Sequence, residues 1–189
     1  MIFALFECPE GVETEPGPRV VYDLAREAAY LGAARVEAPA LVWELGAAPE
    51  ALVTDRYKGF GAVAVEVPIR LGDTEEEAWV VRCDHVHFPR SGVAYRHVHP
   101  GPGIRRLLFG RLTIESDEGT QTYTAAESWF ESADFPVVAT ASESEETAFV
   151  RVLLLPREWA GRRTIRYLDP ADEAKPKLQR ATVLLEEPL

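Results

Sequence analysis

Three features of the 189-residue sequence predict an all-β protein, closed as a sandwich or barrel, with a short N-terminal helix and a β-type C-terminal extension. From residue 40 onward, short β-type runs follow one another at 41–45, 62–69, 78–83, 93–98, 106–114, 120–124, 128–130, 137–141 and 149–155. Turn residues separate them, among them Gly46, Gly59, Gly61, Gly72-Asp73, Asp117-Glu118-Gly119 and Asp134-Phe135-Pro136. Many short strands divided in this way bury their apolar faces only when sheets stack or close. The third feature is a hydrophobic content of 47%, enough at this length for one sizeable core, so a single domain spans 1–189.

In chain order, segment 23–31 (Asp-Leu-Ala-Arg-Glu-Ala-Ala-Tyr-Leu) is rich in helix formers, with Asp23 placed to cap it and Gly32 to stop it. It predicts the one helix, inside an N-terminal extension covering 1–39. The β runs then build a barrel over 40–156. That stretch ends at Leu153-Leu154-Leu155-Pro156, because proline cannot donate to a central ladder. The C-terminal extension, 157–189, alternates over 162–168 and 180–185. These read as two further strands around a polar loop, able to lie on the outside of the barrel or on a second subunit.

Charge and composition exclude several roles. Lys+Arg at 20 against Asp+Glu at 31 gives a net charge of −11, which repels phosphate backbones, so no nucleic acid partner is expected. The apolar start Met1-Ile2-Phe3-Ala4-Leu5-Phe6 has no basic flank and is too short for a secretory segment. No run approaches the ~18 apolar residues of a membrane span, so no membrane partner is expected and the expected location is cytoplasmic. Cys8 and Cys83 lie far apart without metal-knuckle spacing and read as buried thiols. The acidic runs Glu75-Glu76-Glu77 and Glu143-Ser144-Glu145-Glu146 read as solvated loops.

All four histidines, His85, His87, His97 and His99, fall within one short window. Each H-x-H pair presents two imidazoles to one side of a strand, because residues two apart share a face. A divalent transition metal needs at least one further donor.

The stretch Gly92 to Gly110, with His97-Val98-His99 inside it, resembles the first motif of the cupin superfamily: glycine, five residues, H-x-H, three or four residues, glutamate, six residues, glycine. His97, His99 and Gly110 match. Gly92 lies one residue late, and Gly103 stands where the glutamate belongs. From Ala126 a second motif is suggested, but Ser132-Ala133-Asp134 replaces its P-x-G and Val137 its histidine. The resemblance covers about 78–156 and implies a cupin-type jelly-roll barrel. It also implies a divalent metal inside, with iron favoured and manganese, nickel or zinc as alternatives. Glycine and valine carry no donor, so Glu131, just ahead of the second motif, is the expected third ligand beside His97 and His99, with Glu127 in reserve. His85 and His87 reach His97 if 90–92 is a tight hairpin loop, and do not if 88–92 is a corner between two sheets.

Alternation through the Pro100–Gly103 turn points Gly103, Arg105 and Leu107 inward, whereas a phase shift there leaves Arg105 on the surface. An inward Arg105 needs a carboxylate, either Glu131 or that of a bound acid. Tyr95, Trp129 and Phe130 supply either an aromatic wall or core packing. Arg105 and Tyr95 are thus the candidate catalytic residues. Ser91, His97 and Asp84 lack the motif of a nucleophilic serine. The expected function is a metal-binding cupin acting on a small organic acid or enolic compound, a non-haem dioxygenase in the first instance. The alternatives are a metal-free cupin that binds or senses a small acidic ligand, and a cupin isomerase or lyase. A homodimer is expected, from the apolar segments 1–6 and 181–185.

Overall fold

A computed structural model describes residues 1–46, 60–72 and 78–189. The Gly59 turn and the acidic run 75–77 lie outside the described residues. The N-terminal strands are β1 (Ile2–Cys8), β2 (Val12–Thr14), β3 (Arg19–Asp23), β4 (Ala28–Leu31), β5 (Ala34–Val36), β6 (Ala40–Gly46) and β7 (Phe60–Glu66). Eight more follow: β8 (Trp79–Phe88), β9 (Val93–Val98), β10 (Gly103–Phe109), β11 (Arg111–Ser116), β12 (Gly119–Thr124), β13 (Ser128–Glu131), β14 (Val137–Ala141) and β15 (Thr147–Pro156). The chain ends with β16 (Arg166–Tyr167) and β17 (Arg180–Pro188).

Strands β8 to β15 form two facing antiparallel sheets, ordered β13-β10-β15-β8 and β12-β11-β14-β9. Apart from the β11–β12 hairpin, consecutive strands alternate between the sheets in the jelly-roll order, which turns the Phe88–Gly92 segment into a corner. β8 therefore pairs with β15 and β17, β9 pairs with β14 and β16, and the hairpin that would bring His85 opposite His97 does not form. Val86, Phe88, Leu107, Leu112, Val137 and Phe149 fill the interior. At the β10–β11 turn, Gly110 sits at φ 81, and a Cβ there would come within 2.3 Å of the Glu146 carbonyl, so only glycine closes this turn.

The C-terminal strands join the barrel in plane. β17 extends the first sheet beside β8, and β16 extends the second beside β9. The N-terminal strands form their own sheet, β4-β3-β6-β1-β7, with β2 and β5 as a separate ribbon. Strands β6 and β7, expected in the barrel, thus belong with the N-terminal strands. That sheet covers the outer face of the first barrel sheet: Leu5, Tyr22, Leu41 and Trp43 share one core with Val81, Ile104, Val150 and Val152. This is why β15 is buried along nearly its whole length. The Met1–Phe6 run lies mostly in β1, paired on both sides within its own sheet.

The expected helix at 23–31 is absent. Asp23 Oδ1 accepts from the backbone N–H groups of Ala25 and Arg26 at 2.9 and 3.0 Å, which makes a tight side-chain turn, and Glu27 enters the left-handed region at φ 51. β4 then runs back along β3. The hydrogen bond that suggested a helix cap closes a hairpin instead, and pairing with β3 overrides the local alanine preference.

Trp43 ties the two layers together. It is fully buried, and its indole N–H donates to the Ile104 carbonyl of the barrel at 3.2 Å. Trp43→Ala is expected to cost about 3–5 kcal/mol in a urea titration, with intrinsic fluorescence and far-UV dichroism still changing in one transition.

Candidate ligand-binding site

Inside the barrel, at the end nearer the C-terminal extension, lies a cavity of about 240 Å³. This is just below the span of about 300–1,000 Å³ usual for small-molecule sites. Its walls are largely apolar, from Val86, Phe88, Leu112, Ile114, Val137 and Phe149. Among the described residues, four cationic side chains line it (Arg105, Arg151, Arg163 and Lys177) against one carboxylate, Glu131. A chain of net charge −11 therefore encloses a cationic pocket.

His97 and His99 both line this cavity and are buried. The strand holding them is bulged: Ala139 pairs with Ala94 and Val137 with His97, so Tyr95 and Arg96 together oppose Val138. The bulge aims both Ala94 and His97 inward. It also takes Tyr95 out of the cavity, where it lies under the Lys175 ammonium at 4.6 Å. Tyr95, expected as an aromatic wall and a candidate catalytic residue, is thus placed outside the cavity by one extra residue.

Each imidazole has a determined tautomer. His97 Nδ1 lies 2.7 Å from the Tyr95 carbonyl and His99 Nδ1 lies 3.1 Å from the Thr164 carbonyl. Carbonyls only accept, so both Nδ1 atoms carry the proton and both Nε2 atoms carry a lone pair. The His99 lone pair is already used, because Arg151 Nη1 donates to it at 3.2 Å. Arg151 is held by the wholly buried Asp84, whose Oδ2 accepts from Nε and Nη2 at 3.0 and 2.8 Å, while Oδ1 accepts from Arg82 at 3.0 Å. The Arg151 guanidinium also reaches the Thr164 hydroxyl at 3.3 Å.

Arg105 points inward, as alternation with Gly103 and Leu107 requires, and it is 1% exposed. Nη1 donates to the Gly103 carbonyl at 2.7 Å. Nη2 lies 2.6 Å from Glu131 Oε2 in a buried ion pair. Burial brings the guanidinium down to about 10, still protonated at neutral pH. Glu131 Oε1 accepts from the Trp129 indole at 2.8 Å. A side chain at position 103 would put its Cβ 2.5 Å from Leu153 and 3.0 Å from Arg105 Nη1, so the place of a motif-one glutamate is filled by these two residues.

These contacts bear directly on the metal that the cupin resemblance implies. Glu131, the expected third ligand, is instead the counter-ion of Arg105 and the acceptor for Trp129. Glu127 is exposed and accepts from Thr124 N and Oγ1 at 2.6 and 2.8 Å, away from the cavity. His85 and His87 stand on the other face of β8: Val150, opposite His85, belongs to the core beneath the N-terminal sheet, and His87 meets Glu146 at 3.2 Å. Cys83 shares that face. Among the described residues no group of three potential ligands converges, and the cavity offers one open imidazole nitrogen beside two guanidiniums. This donor set does not fit a divalent metal.

Of the two roles open to Trp129 it fills both, lining the cavity and packing in the barrel core with Tyr123 stacked on it at 4.6 Å, while Phe130 packs toward the N-terminal sheet. Three contributions were not read from the sequence. Arg151 is one, although an arginine inside the apolar run of 149–155 was a usable signal. Asp84 is another. The third is the mouth built by Arg163, Thr164, Tyr167, Lys177 and Gln179, which only the docking of the C-terminal extension brings near.

No protein-family model and no curated protein matches the chain. Solved structures similar to it include the polyketide cyclase RemF from Streptomyces resistomycificus (17% identity, TM-score 0.39), where the match covers 47% of this chain and 61%, under two thirds, of that one. They include a cupin domain from Bordetella pertussis Tohama I (22%, TM-score 0.35, covering 40% and 81%). A cupin-like protein from Thermotoga maritima is also similar (12%, TM-score 0.40, covering 50% and 80%). Among the described residues no helix is long and apolar enough to cross a membrane.

Burial pushes both histidines below the usual range, His97 moderately and His99 strongly, with Arg151, His97 and Arg105 adding positive charge around His99. The unfolded chain titrates these groups near 6.5 and the folded chain only at lower pH, so the unfolded state takes up protons first. The stability is therefore complete above about pH 6.5 and falls as pH drops below it. Urea titrations at pH 7.5 and 6.0 are expected to differ by roughly 1 kcal/mol per buried histidine, and His99→Gln is expected to flatten that difference. Strands β8 to β15 are ordered as a jelly-roll barrel, the architecture the cupin resemblance implies, with His97 and His99 both lining its cavity.

Proposed function

We propose that this barrel binds or senses a small organic anion, a carboxylate on a compact apolar body, without using a metal. The observation that carries the reading is the lining of the cavity: among the described residues four cationic side chains, Arg105, Arg151, Arg163 and Lys177, stand against one carboxylate, Glu131. Charge-assisted hydrogen bonds between such cations and a carboxylate are the strong ones. The apolar walls support a hydrocarbon body.

The donor set argues for metal independence. A divalent ion at His97 and His99 would have to displace Arg151 from the His99 lone pair and sit beside a second guanidinium, with Glu131 already neutralised. Like charges at such range in a low-dielectric interior repel strongly. The pocket instead carries its own fixed cations.

Calorimetric titration of benzoate into chelator-treated protein tests this. Saturable binding that added iron, nickel or zinc does not strengthen is expected. The paired variant Arg105→Met with Glu131→Gln removes the cation without stranding a buried carboxylate, and is expected to bind at least about tenfold more weakly. Stoichiometric metal in the untreated protein, together with benzoate binding that disappears on chelation, would overturn the reading.

A further inference from the structure

The buried charges of the cavity are spent inside the chain. Arg105 faces Glu131 at 2.6 Å, Arg151 faces Asp84 at 2.8 Å, and Arg151 also donates to the His99 lone pair at 3.2 Å. His97 Nε2 is not spent. Its ring proton sits on Nδ1 and goes to the Tyr95 carbonyl at 2.7 Å, and no described residue donates to the other nitrogen. His85 Nε2 also lacks a partner, but it is sealed within the protein, whereas His97 Nε2 keeps accessible surface. With the residue lining the cavity and only 4% exposed, that surface opens on the cavity. Burial holds the ring neutral, which preserves the lone pair at neutral pH.

A lone pair in an apolar enclosure calls for a donor. Hydrocarbon pressed against it would cut it off from water without replacing the lost hydrogen bond, and a fluorine, an ether or a carboxylate oxygen would face it with a second lone pair. An ammonium donor is repelled by the cations of the wall, Arg105, Arg151, Arg163 and Lys177. A neutral hydroxyl meets both conditions. The same cavity is lined by Phe88, Trp129 and Phe149, with Phe149 centred 6.2 Å from Phe88 and 5.4 Å from Trp129. Aromatic edges and faces of this kind suit a flat ring. Resting on the reading above only in that this cavity holds a ligand, we propose that the buried end of the ligand is a hydroxylated aromatic ring whose O–H donates to His97 Nε2. Recognition at this nitrogen is independent of where the ligand carries its negative charge. His97 then selects phenols over analogues without the proton, since a buried acceptor left without a partner penalises them.

The test titrates p-cresol, uncharged at neutral pH, into the full-length protein by calorimetry, beside 4-fluorotoluene, which matches it closely in size but has no proton to donate. p-Cresol is expected to bind saturably and about tenfold tighter. The preference is expected to vanish in His97→Leu and to survive in His87→Leu, whose histidine stands on the other face of β8. Absence of p-cresol binding, p-cresol binding no tighter than 4-fluorotoluene, or a preference that survives His97→Leu overturns the proposal. The benzoate titration above reads the other end of the ligand. A p-cresol preference without benzoate binding leaves this proposal standing and overturns the anion reading, and benzoate binding without a p-cresol preference does the reverse. The comparison of the two ligands uses the unaltered protein, so it decides the matter even if His97→Leu does not fold.

Discussion

Two guanidinium cations are buried inside one small barrel, and each has to be neutralised there. Isolated charge in such a medium costs far more than the net stability of a domain. Asp84, wholly buried, therefore faces Arg151, and Glu131 faces Arg105. From these two pairings the remaining polar interior follows. Arg151, held by Asp84, has a nitrogen left to spend on His99, which holds that ring neutral and uses its lone pair. Glu131, drawn to Arg105, takes its second hydrogen bond from Trp129. The nitrogen that remains open, His97 Nε2, is what these commitments leave over.

Buried ion pairs of this kind seldom add stability over hydrocarbon of the same volume. The barrel has ample apolar packing without them, since a full set of aliphatic and aromatic side chains fills its interior and a second sheet seals the outer face of one wall. Their place is around the cavity, and there they make an acidic protein locally cationic. The C-terminal extension completes the arrangement. Its Thr164 carbonyl fixes the His99 tautomer, its hydroxyl meets Arg151, and Tyr167, Lys177 and Gln179 finish the wall. The segment that reads as an appendage is thus part of the pocket.

Where local reading succeeded, one short-range rule was enough. Period-two alternation put His97 and His99 on one face, and turn residues marked the strand ends. Where it failed, a longer-range contact had overruled a local preference. Segment 23–31 has a helical composition, but β3 offers it a ladder, and the Asp23 side chain serves a hairpin as readily as a helix. Tyr95 lies two residues from His97, yet a bulge against Val138 turns it away. Glu131 is close to the histidines as expected, but a cation, not a metal, has first claim on it.

The sequence by itself determined the all-β class, a closed barrel somewhere within 40–156 and the same-face histidine pair, because each is written in alternation and turn chemistry within a few residues; the phase of the Pro100–Gly103 turn, and with it the side to which Arg105 points, was not. The sequence also showed the loss of two motif ligands, since glycine and valine have nothing to donate. Only the tertiary structure decided which charges meet. Asp84 and Arg151 are 67 positions apart, and His99 and Thr164 are 65 apart. Pairing across such distances depends on which strands lie side by side and in what register, and no local pattern encodes that. The same two carboxylates and two imidazoles could have enclosed a metal, and the placement of two guanidiniums among them gives the pocket its different character.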